Sequence, residues 1–230
     1  MQPSNKYVLH YICVRARAEP IHLMLHYAKV PYERHDFSLG DLKEKKQKEQ
    51  FPTSQLPVLE VRGKTQPLAQ SGAIMRYLAK EHGLMSEDPF EAALQDAVFE
   101  LSQEFAKVNP YVNMYPKDKN IDEFMTKGAG NGAGYPMIPK LKAASDLLGE
   151  RNFFGGASPC FADFNMWHYL DNLDTLVPDI LDDHANLVAW MVRVAQLDGI
   201  AQYLKTRPAS AECGVEGSPI KFLADLKKKW

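Results

Sequence analysis

The chain has 230 residues, 45% of them hydrophobic, and a formal net charge of −2 at pH 7. This length suits one large core or two modest ones, and a charge near zero argues against nucleic acid as the main partner. No apolar run is long enough to span a bilayer, and the first twenty residues contain no apolar stretch typical of a signal peptide. The three cysteines, Cys13, Cys160 and Cys213, are too scattered for a disulfide framework or a zinc site. These features predict a cytoplasmic protein with no metal, no membrane and no nucleic acid among its partners.

Strand and helix signals alternate in the first part of the chain. In chain order they predict a strand over 7–12, a helix that has Pro20 in its first turn, and a strand over 32–37. A charged segment over 40–50 with weak helical character follows. Strands over 58–61 and 66–69 then flank a turn over 62–64, and a helix begins at Ser71 and stops at Gly83. Ile74, Tyr77 and Leu78 give this last helix a core-facing stripe. Strand, helix, strand, hairpin and helix, in this order, are typical of a thioredoxin-like α/β domain.

Strand signals vanish after Pro89. An apolar stripe at helical spacing follows, formed by Leu94, Val98, Leu101 and Phe105. Further helices are predicted over 136–148 and 161–176, and the glycine-rich stretch 128–134 is predicted to be a loop because it lacks the Lys-Ser/Thr of a phosphate-binding loop. The chain therefore divides into an N-terminal α/β domain over 1–83, a linker over 84–90 and an all-α helical bundle over 91–230.

Two neighbouring segments predict a site for a small acidic peptide. Pro57 opens a strand, so Leu56 is expected to be extended, with backbone N–H and C=O groups that can pair with an added strand. The helix that begins at Ser71 has unsatisfied N–H groups and partial positive charge at its start, which stabilise a carboxylate. The competing interpretation makes Ser71 a plain N-cap.

The words L-P-V-L at 56–59 and Q-S-x-A-I-x-R-Y-L at 70–78 resemble the N-terminal domain of the glutathione transferases. The resemblance covers nearly the whole chain, closely as far as Leu84 and loosely beyond it. It implies that glutathione is bound as a co-substrate, with no other cofactor. The glutathione-binding residues that it implies include Gln55, Leu56, Pro57, Gln70 and Ser71.

Glutathione chemistry depends on the sulfur, whose thiolate is the nucleophile. Lowering a thiol pKa of about 8.5 by two units needs roughly 2.7 kcal/mol, and one hydrogen bond to an ionised group supplies about 1.5–3 kcal/mol. The segment from Tyr11 to Glu19 resembles the signature Y-x-x-x-R-x-R-A-E of the tyrosine-type, sigma-like transferases. The resemblance implies that the Tyr11 hydroxyl donates to the sulfur and that Arg17 supports the charge. The alternatives are a core tyrosine in a strand and an arginine on a helix surface.

Cys13 is the rival to Tyr11. It precedes the same helix, whose dipole lowers the pKa of a thiol, and C-x-x-x-R is loosely similar to the cysteine-type, omega-like transferases that form mixed disulfides. No proline follows Cys13, and no second cysteine completes a Cys-x-x-Cys pair. Tyr11 is therefore the favoured catalytic residue.

Several positions depart from the family pattern. Leu42 stands where the family has a tryptophan that helps to hold the glycine carboxylate of glutathione, and Lys46 and Lys48 are rival candidates for the lysine beside it. Thr53 stands at the aromatic key that locks some family dimers, with Phe51 two residues away. The resemblance therefore leaves one end of the glutathione site and the dimer lock open.

Two further departures lie in the helical domain. Glu100 falls where the sigma-like group has an aspartate that reaches the glutathione of the partner subunit, which implies a homodimer; a solvated helix glutamate is the alternative. The segment from Ser158 to Asp163 resembles the helix-capping word S-x-T-x-A-D, with Cys160 in place of the capping hydroxyl. We expect Asp163 to compensate by accepting a backbone hydrogen bond at the cap.

Taken together, the resemblance implies a glutathione transferase that conjugates the thiolate to small hydrophobic electrophiles bound by the helical domain. The candidates for lining the electrophile pocket are Ile12, Val14, Tyr111, Met114 and Tyr115. Three alternatives stay open: a glutathione-dependent isomerase, like the sigma-like members that act on prostaglandin endoperoxides; a thiol transferase that uses Cys13; and a non-catalytic protein, like the related lens crystallins.

Overall fold

A computed structural model of the chain describes residues 5–12, 14–37, 51, 55–106, 137–177 and 179–207. The strands are β1 (Tyr7–Ile12), β2 (Tyr32–Phe37), β3 (Val58–Val61) and β4 (Leu68–Ala69). The helices are α1 (Glu19–Tyr27), α2 (Ser71–Glu81), α3 (Pro89–Phe105), α4 (Met137–Leu148), α5 (Phe161–Leu176), α6 (Ala185–Ala195) and α7 (Ile200–Thr206), and a short 3₁₀ turn (Ala16–Ala18) precedes α1.

The four strands form one mixed sheet in the order β2-β1-β3-β4. β1 runs parallel to β2 and antiparallel to β3, and β3 pairs with β4 as an antiparallel hairpin. Gly63 has a φ of +86° in the hairpin turn, where the Lys64 N–H donates to the Val61 carbonyl at 2.9 Å. A positive φ is a conformation that glycine adopts without a steric penalty. The predicted thioredoxin-like order of elements is confirmed.

The helical part differs from the prediction in the face that α3 buries. Val98 and Phe105 are buried as predicted, but Leu94 is 46% exposed. Phe99 takes its place in the core, because α3 packs against α5 and the Phe99 ring stacks on Phe161 at 5.3 Å between centroids. The buried face is therefore rotated from the predicted stripe toward Phe99.

Helix α5 is the central helix of this part, and every residue from Phe161 to Leu170 is buried. It packs against α1 of the α/β part and against α3 and α6 of the helical part. The sequence of α5 carries no clear amphipathic stripe, because the polar residues Asp163, Asn165 and His168 are buried along with the apolar ones. Its existence could be predicted from the sequence, whereas its contacts could not.

The start of α5 confirms the expected role of Asp163. The Cys160 side chain accepts the N3 backbone N–H, and the Asp163 carboxylate accepts the Cys160 N–H at 2.8 Å, so both halves of a capping box are present. Asp163 also accepts the N–H groups of Phe154 at 2.9 Å and Gly155 at 3.2 Å and the indole N–H of Trp190 at 2.8 Å. One buried carboxylate thus ties the loop before α5 to α6.

Candidate active site

Tyr11 is the second-last residue of β1, and its side chain is buried. Its hydroxyl oxygen accepts the backbone N–H of Arg17 at 3.1 Å. The chain reverses through the 3₁₀ turn after β1, which brings that N–H back to the phenol. Because the oxygen accepts this bond, the hydroxyl hydrogen can be donated to a second group.

The Tyr11 hydroxyl stays protonated at neutral pH. Burial raises its pKa well above the ordinary value, with the Arg17 N–H acting in the opposite direction and the neighbouring Tyr169 adding to the rise. A neutral phenol is a hydrogen-bond donor, whereas a phenolate is only an acceptor. Tyr11 therefore has the protonation state that stabilising a thiolate requires.

Arg17 contacts Tyr11 through its backbone N–H, and Arg17 itself is exposed. The sequence motif pointed to the arginine side chain, whereas the structure adds a backbone contact that no side-chain pattern encodes. Such a contact depends on how the chain turns after β1, and only the folded chain reveals it.

The predicted peptide-binding segment lies where β3 begins. The Leu56–Pro57 peptide bond is cis, Pro57 is buried directly before the first residue of β3, and Gln55 is exposed. The Gln70 amide nitrogen donates to the Gln55 side-chain oxygen at 3.3 Å. The fold therefore brings the two predicted segments, 55–57 and 70–71, to one place.

The N-terminus of α2 has the features of an anion site. Gln70, rather than Ser71, occupies the N-cap, and no side chain of the described residues caps the helix there. Gln70 has a φ of +72°, a conformation that costs about 1–3 kcal/mol for a residue with a side chain and that clusters at ligand sites. The first helical bond runs from the Ile74 N–H to the Gln70 carbonyl at 3.0 Å, so the three preceding N–H groups have no partner within the helix.

Glu100 lies on the exposed side of α3 and is engaged within its own chain. The Arg76 guanidinium from α2 forms ion pairs with Glu100 and with Asp96, at 2.7 Å for the latter, and sits 4.6 Å from the centre of the Phe99 ring. A role for Glu100 toward a second subunit therefore competes with Arg76.

Several predicted residues lie outside the described part of the chain. They are Cys13, Leu42, Lys46, Lys48, Thr53, Tyr111, Met114 and Tyr115. Of the described candidates, Val14 is buried and Ile12 is half-buried, on either side of Cys13. The Phe51 ring packs at 5.1 Å from His10 and 5.8 Å from Phe37 of its own chain.

Sequence reasoning missed Tyr169 of α5, which is 1% exposed and acts electrostatically on Tyr11. Because all of its helical neighbours are buried as well, no periodicity singled it out. Within the described ranges, no group of three or more His, Cys, Asp and Glu residues could hold a metal ion. No helix among the same residues is long and apolar enough to cross a membrane.

The comparisons with known proteins agree on one family. Residues 7–80 match the glutathione S-transferase N-terminal domain, and residues 136–207 match the glutathione S-transferase C-terminal domain. Over 207 residues, 89% of this chain and 98% of the relative, it is 33% identical to hematopoietic prostaglandin D synthase of Gallus gallus. It is 30% identical to glutathione S-transferase 1 of Ascaris suum over 210 residues, 88% of this chain and 97% of the relative.

A solved structure supports the same family. The crystal structure of the glutathione S-transferase from Ascaris lumbricoides superposes with a TM-score of 0.74 at 26% identity and covers 90% of this chain and 98% of its own. The fold defines a protein with a thioredoxin-like domain followed by a helical domain. The chain belongs to the glutathione S-transferase family, and it is a glutathione transferase.

Proposed function

We propose that Tyr11 donates a hydrogen bond to the sulfur of bound glutathione and stabilises the thiolate that attacks a small hydrophobic electrophile. The observation that carries the proposal is the buried, neutral Tyr11 hydroxyl, held at 3.1 Å by the Arg17 N–H with its own hydrogen left to donate. One such bond to an ionised sulfur is worth about 1.5–3 kcal/mol, enough to lower the thiol pKa by about one to two units. The nucleophile then forms at neutral pH and is held beside its acceptor.

Glutathione is the co-substrate, and the chain needs no other cofactor. The backbone of glutathione pairs with that of Leu56, next to Pro57, in the manner of an added strand. Its γ-glutamyl carboxylate lies at the start of α2, where Ser71 is buried and the Gln70–Gln55 pair stands beside it. Its glycine end is held by Leu42 and by Lys46 or Lys48.

The wider assignments rest on the family resemblance. The chain is of the sigma-like class, works in the cytoplasm as a homodimer, and has domains over 1–83 and 91–230. Glu100 completes the partner's glutathione site by exchanging its bond to Arg76 for one to the ligand. The support from the described residues is that Glu100 is exposed on α3 and pairs with Arg76 of α2, the helix that begins at Ser71.

A glutathione-dependent isomerase is the second candidate function. Relatives from chicken and human that are 33% and 32% identical to this chain are named hematopoietic prostaglandin D synthase. An isomerase of that kind uses the same thiolate and releases it again, so Tyr11 has the same task in both reactions. The two functions differ in the electrophile.

The test compares the parent with Tyr11→Phe, which removes one hydroxyl and little volume. We expect the pKa of bound glutathione, read from the ultraviolet absorbance of the thiolate against pH, to rise by about one to two units in the variant. The conjugation rate with an aromatic halide should fall accordingly at pH 6.5, while the Kd of glutathione changes little. Overlaying titrations of parent and variant would refute the role of Tyr11. Turnover of a prostaglandin endoperoxide, with little conjugation, would favour the isomerase.

A further inference from the structure

Arg207, directly after α7, lies between α1, α5 and α7 with its side chain 11% exposed. Its guanidinium donates from one nitrogen to Glu19 Oε1 at 3.1 Å and from the other to Asp171 Oδ2 at 2.9 Å. Glu19 begins α1, and Asp171 belongs to α5. The Trp167 ring of α5 lies 5.4 Å from the guanidinium. One side chain at the end of α7 therefore joins the α/β part to the helical part.

The Glu19 carboxylate depends on this arrangement. Its side chain is 2% exposed, and its second oxygen accepts the Tyr203 hydroxyl of α7 at 2.9 Å. A carboxylate so far from water is tolerated only when it is paired and hydrogen-bonded. Arg15 interacts electrostatically with the same groups. Its pKa is lowered mainly by burial and further by the charge of Arg207, while Glu19 and Asp171 act to raise it. The cluster thus balances two arginines against two carboxylates.

Glu19 is close in sequence to the residues that hold Tyr11. Glu19 follows the 3₁₀ turn Ala16–Ala18, and its N–H donates to the Arg15 carbonyl at 3.0 Å. Arg17, within that turn, supplies the N–H that the Tyr11 hydroxyl accepts. Wherever the start of α1 is held, the position of this N–H relative to the phenol is held as well.

We propose that Arg207 and Glu19 form a positioning pair for Tyr11, in which the ion pair between α7 and α1 keeps the Arg17 N–H on the phenol oxygen. This inference rests on the proposed function of Tyr11. An N–H donated to the phenol oxygen polarises the O–H and makes it a stronger donor. It also fixes the direction in which the hydroxyl hydrogen points. Loosening the pair should therefore weaken the bond to sulfur without removing any group that touches glutathione.

The main test variant is Arg207→Lys. An ammonium keeps the charge but lacks the planar fork that reaches Glu19 and Asp171 together. We expect the pKa of bound glutathione to rise by about half a unit to one unit, and kcat/KM at pH 6.5 to fall about three- to tenfold. The Kd of glutathione should stay within about twofold, because the peptide-binding segments are untouched. All measurements are made well below the thermal midpoint of each variant, so that a loss of stability does not enter.

Asp198→Asn is the matched control. Lys29, two residues after α1, and Asp198, between α6 and α7, form an ion pair at 2.5 Å, with side chains 69% and 84% exposed. An exposed pair at the far end of α1 should not affect Tyr11. The control variant should therefore keep the parent's thiol pKa and kcat/KM.

The outcomes separate the two proposals. A parent protein in which bound glutathione keeps an ordinary thiol pKa overturns the role of Tyr11. A lowered thiol pKa in the parent that is unchanged in folded Arg207→Lys overturns the positioning pair and leaves Tyr11 standing. If Arg207→Lys does not fold, the double variant Glu19→Gln with Arg207→Gln removes both buried charges together, and the same rise in thiol pKa is expected there; its absence would overturn the pair.

Discussion

Replacing Asp163 by asparagine should be among the most destabilising conservative changes in this protein. Each carboxylate oxygen holds two donors: Oδ1 accepts from the Phe154 N–H and the Trp190 indole, and Oδ2 accepts from the Gly155 and Cys160 N–H groups. Asparagine keeps one acceptor oxygen and turns an NH₂ group toward the other two donors. Two of the four bonds are therefore lost whichever way the amide is oriented.

The magnitude follows from two opposing contributions. Losing two buried bonds to a charged group costs about 1.5–3 kcal/mol each. Burial raises the pKa of Asp163, which shows that removing the carboxylate from water already opposes folding, and the neutral amide avoids part of that cost. We expect a net loss of about 3 kcal/mol from a total that is typically 5–15 kcal/mol.

The assay is chemical denaturation of Asp163→Asn beside Asp146→Asn. Asp146 is a matched control, because it forms an exposed i,i+4 pair with Lys142 on α4 at 2.6 Å. Its replacement should change the free energy of unfolding by less than about 0.5 kcal/mol. Unfolding of both variants at the denaturant midpoint of the parent would refute this prediction, since the four donors would then be satisfied without the carboxylate.

Three further predictions concern the anion site, the pH dependence and the packing of α1. Ser71→Ala should weaken glutathione binding by about 1 kcal/mol in calorimetric titration while the thermal midpoint stays within a few degrees; an unchanged Kd would remove Ser71 from the site. Burial lowers the pKa of His22 from 6.5 to about 3, so the unfolded chain binds the extra proton and stability falls as pH drops from about 6.5 toward 3. Between pH 6 and 4, the free energy of unfolding should fall less steeply with decreasing pH in His22→Gln than in the parent, by up to about 1.4 kcal/mol per pH unit. Equal slopes in the two proteins would contradict the lowered pKa of His22. Gly199→Ala should destabilise by about 1–3 kcal/mol more than Gly63→Ala, because both have positive φ but only the Gly199 Cβ would meet a backbone atom, the His26 carbonyl oxygen at 2.3 Å. Similar denaturation midpoints for the two alanine variants would count against that contact.

Local features of the sequence were enough to predict the order of the described strands and helices in the α/β half. The alternation of β1, α1 and β2, the turn around Gly63 and the start of α2 at Ser71 all depend on residues close together in the chain. Backbone preferences and short periodicities act over this range, and the structure confirms them. The words around Pro57 and Ser71 likewise pointed to the family, whereas the binding roles of the single residues stay predictions.

The helical half shows where local information ends. Its helices over 137–148 and 161–176 could be predicted, but the buried face of α3 could not, since Leu94 and Phe99 are both apolar and only α5 decides which of them is covered. A stripe read from one helix does not reveal how its partner is rotated.

What the sequence by itself determined is the family, the order of elements and the candidate residues Tyr11, Gln70 and Ser71. Only the tertiary structure decided what surrounds them: the Arg17 N–H on the Tyr11 hydroxyl, the Gln55–Gln70 contact, and the bond between Glu19 and Arg207, 188 residues apart in the chain. The physical reason is that a buried polar group must find partners wherever the fold brings them. Those partners carry no mark in the sequence, because nothing local to Glu19 or Arg207 requires the other.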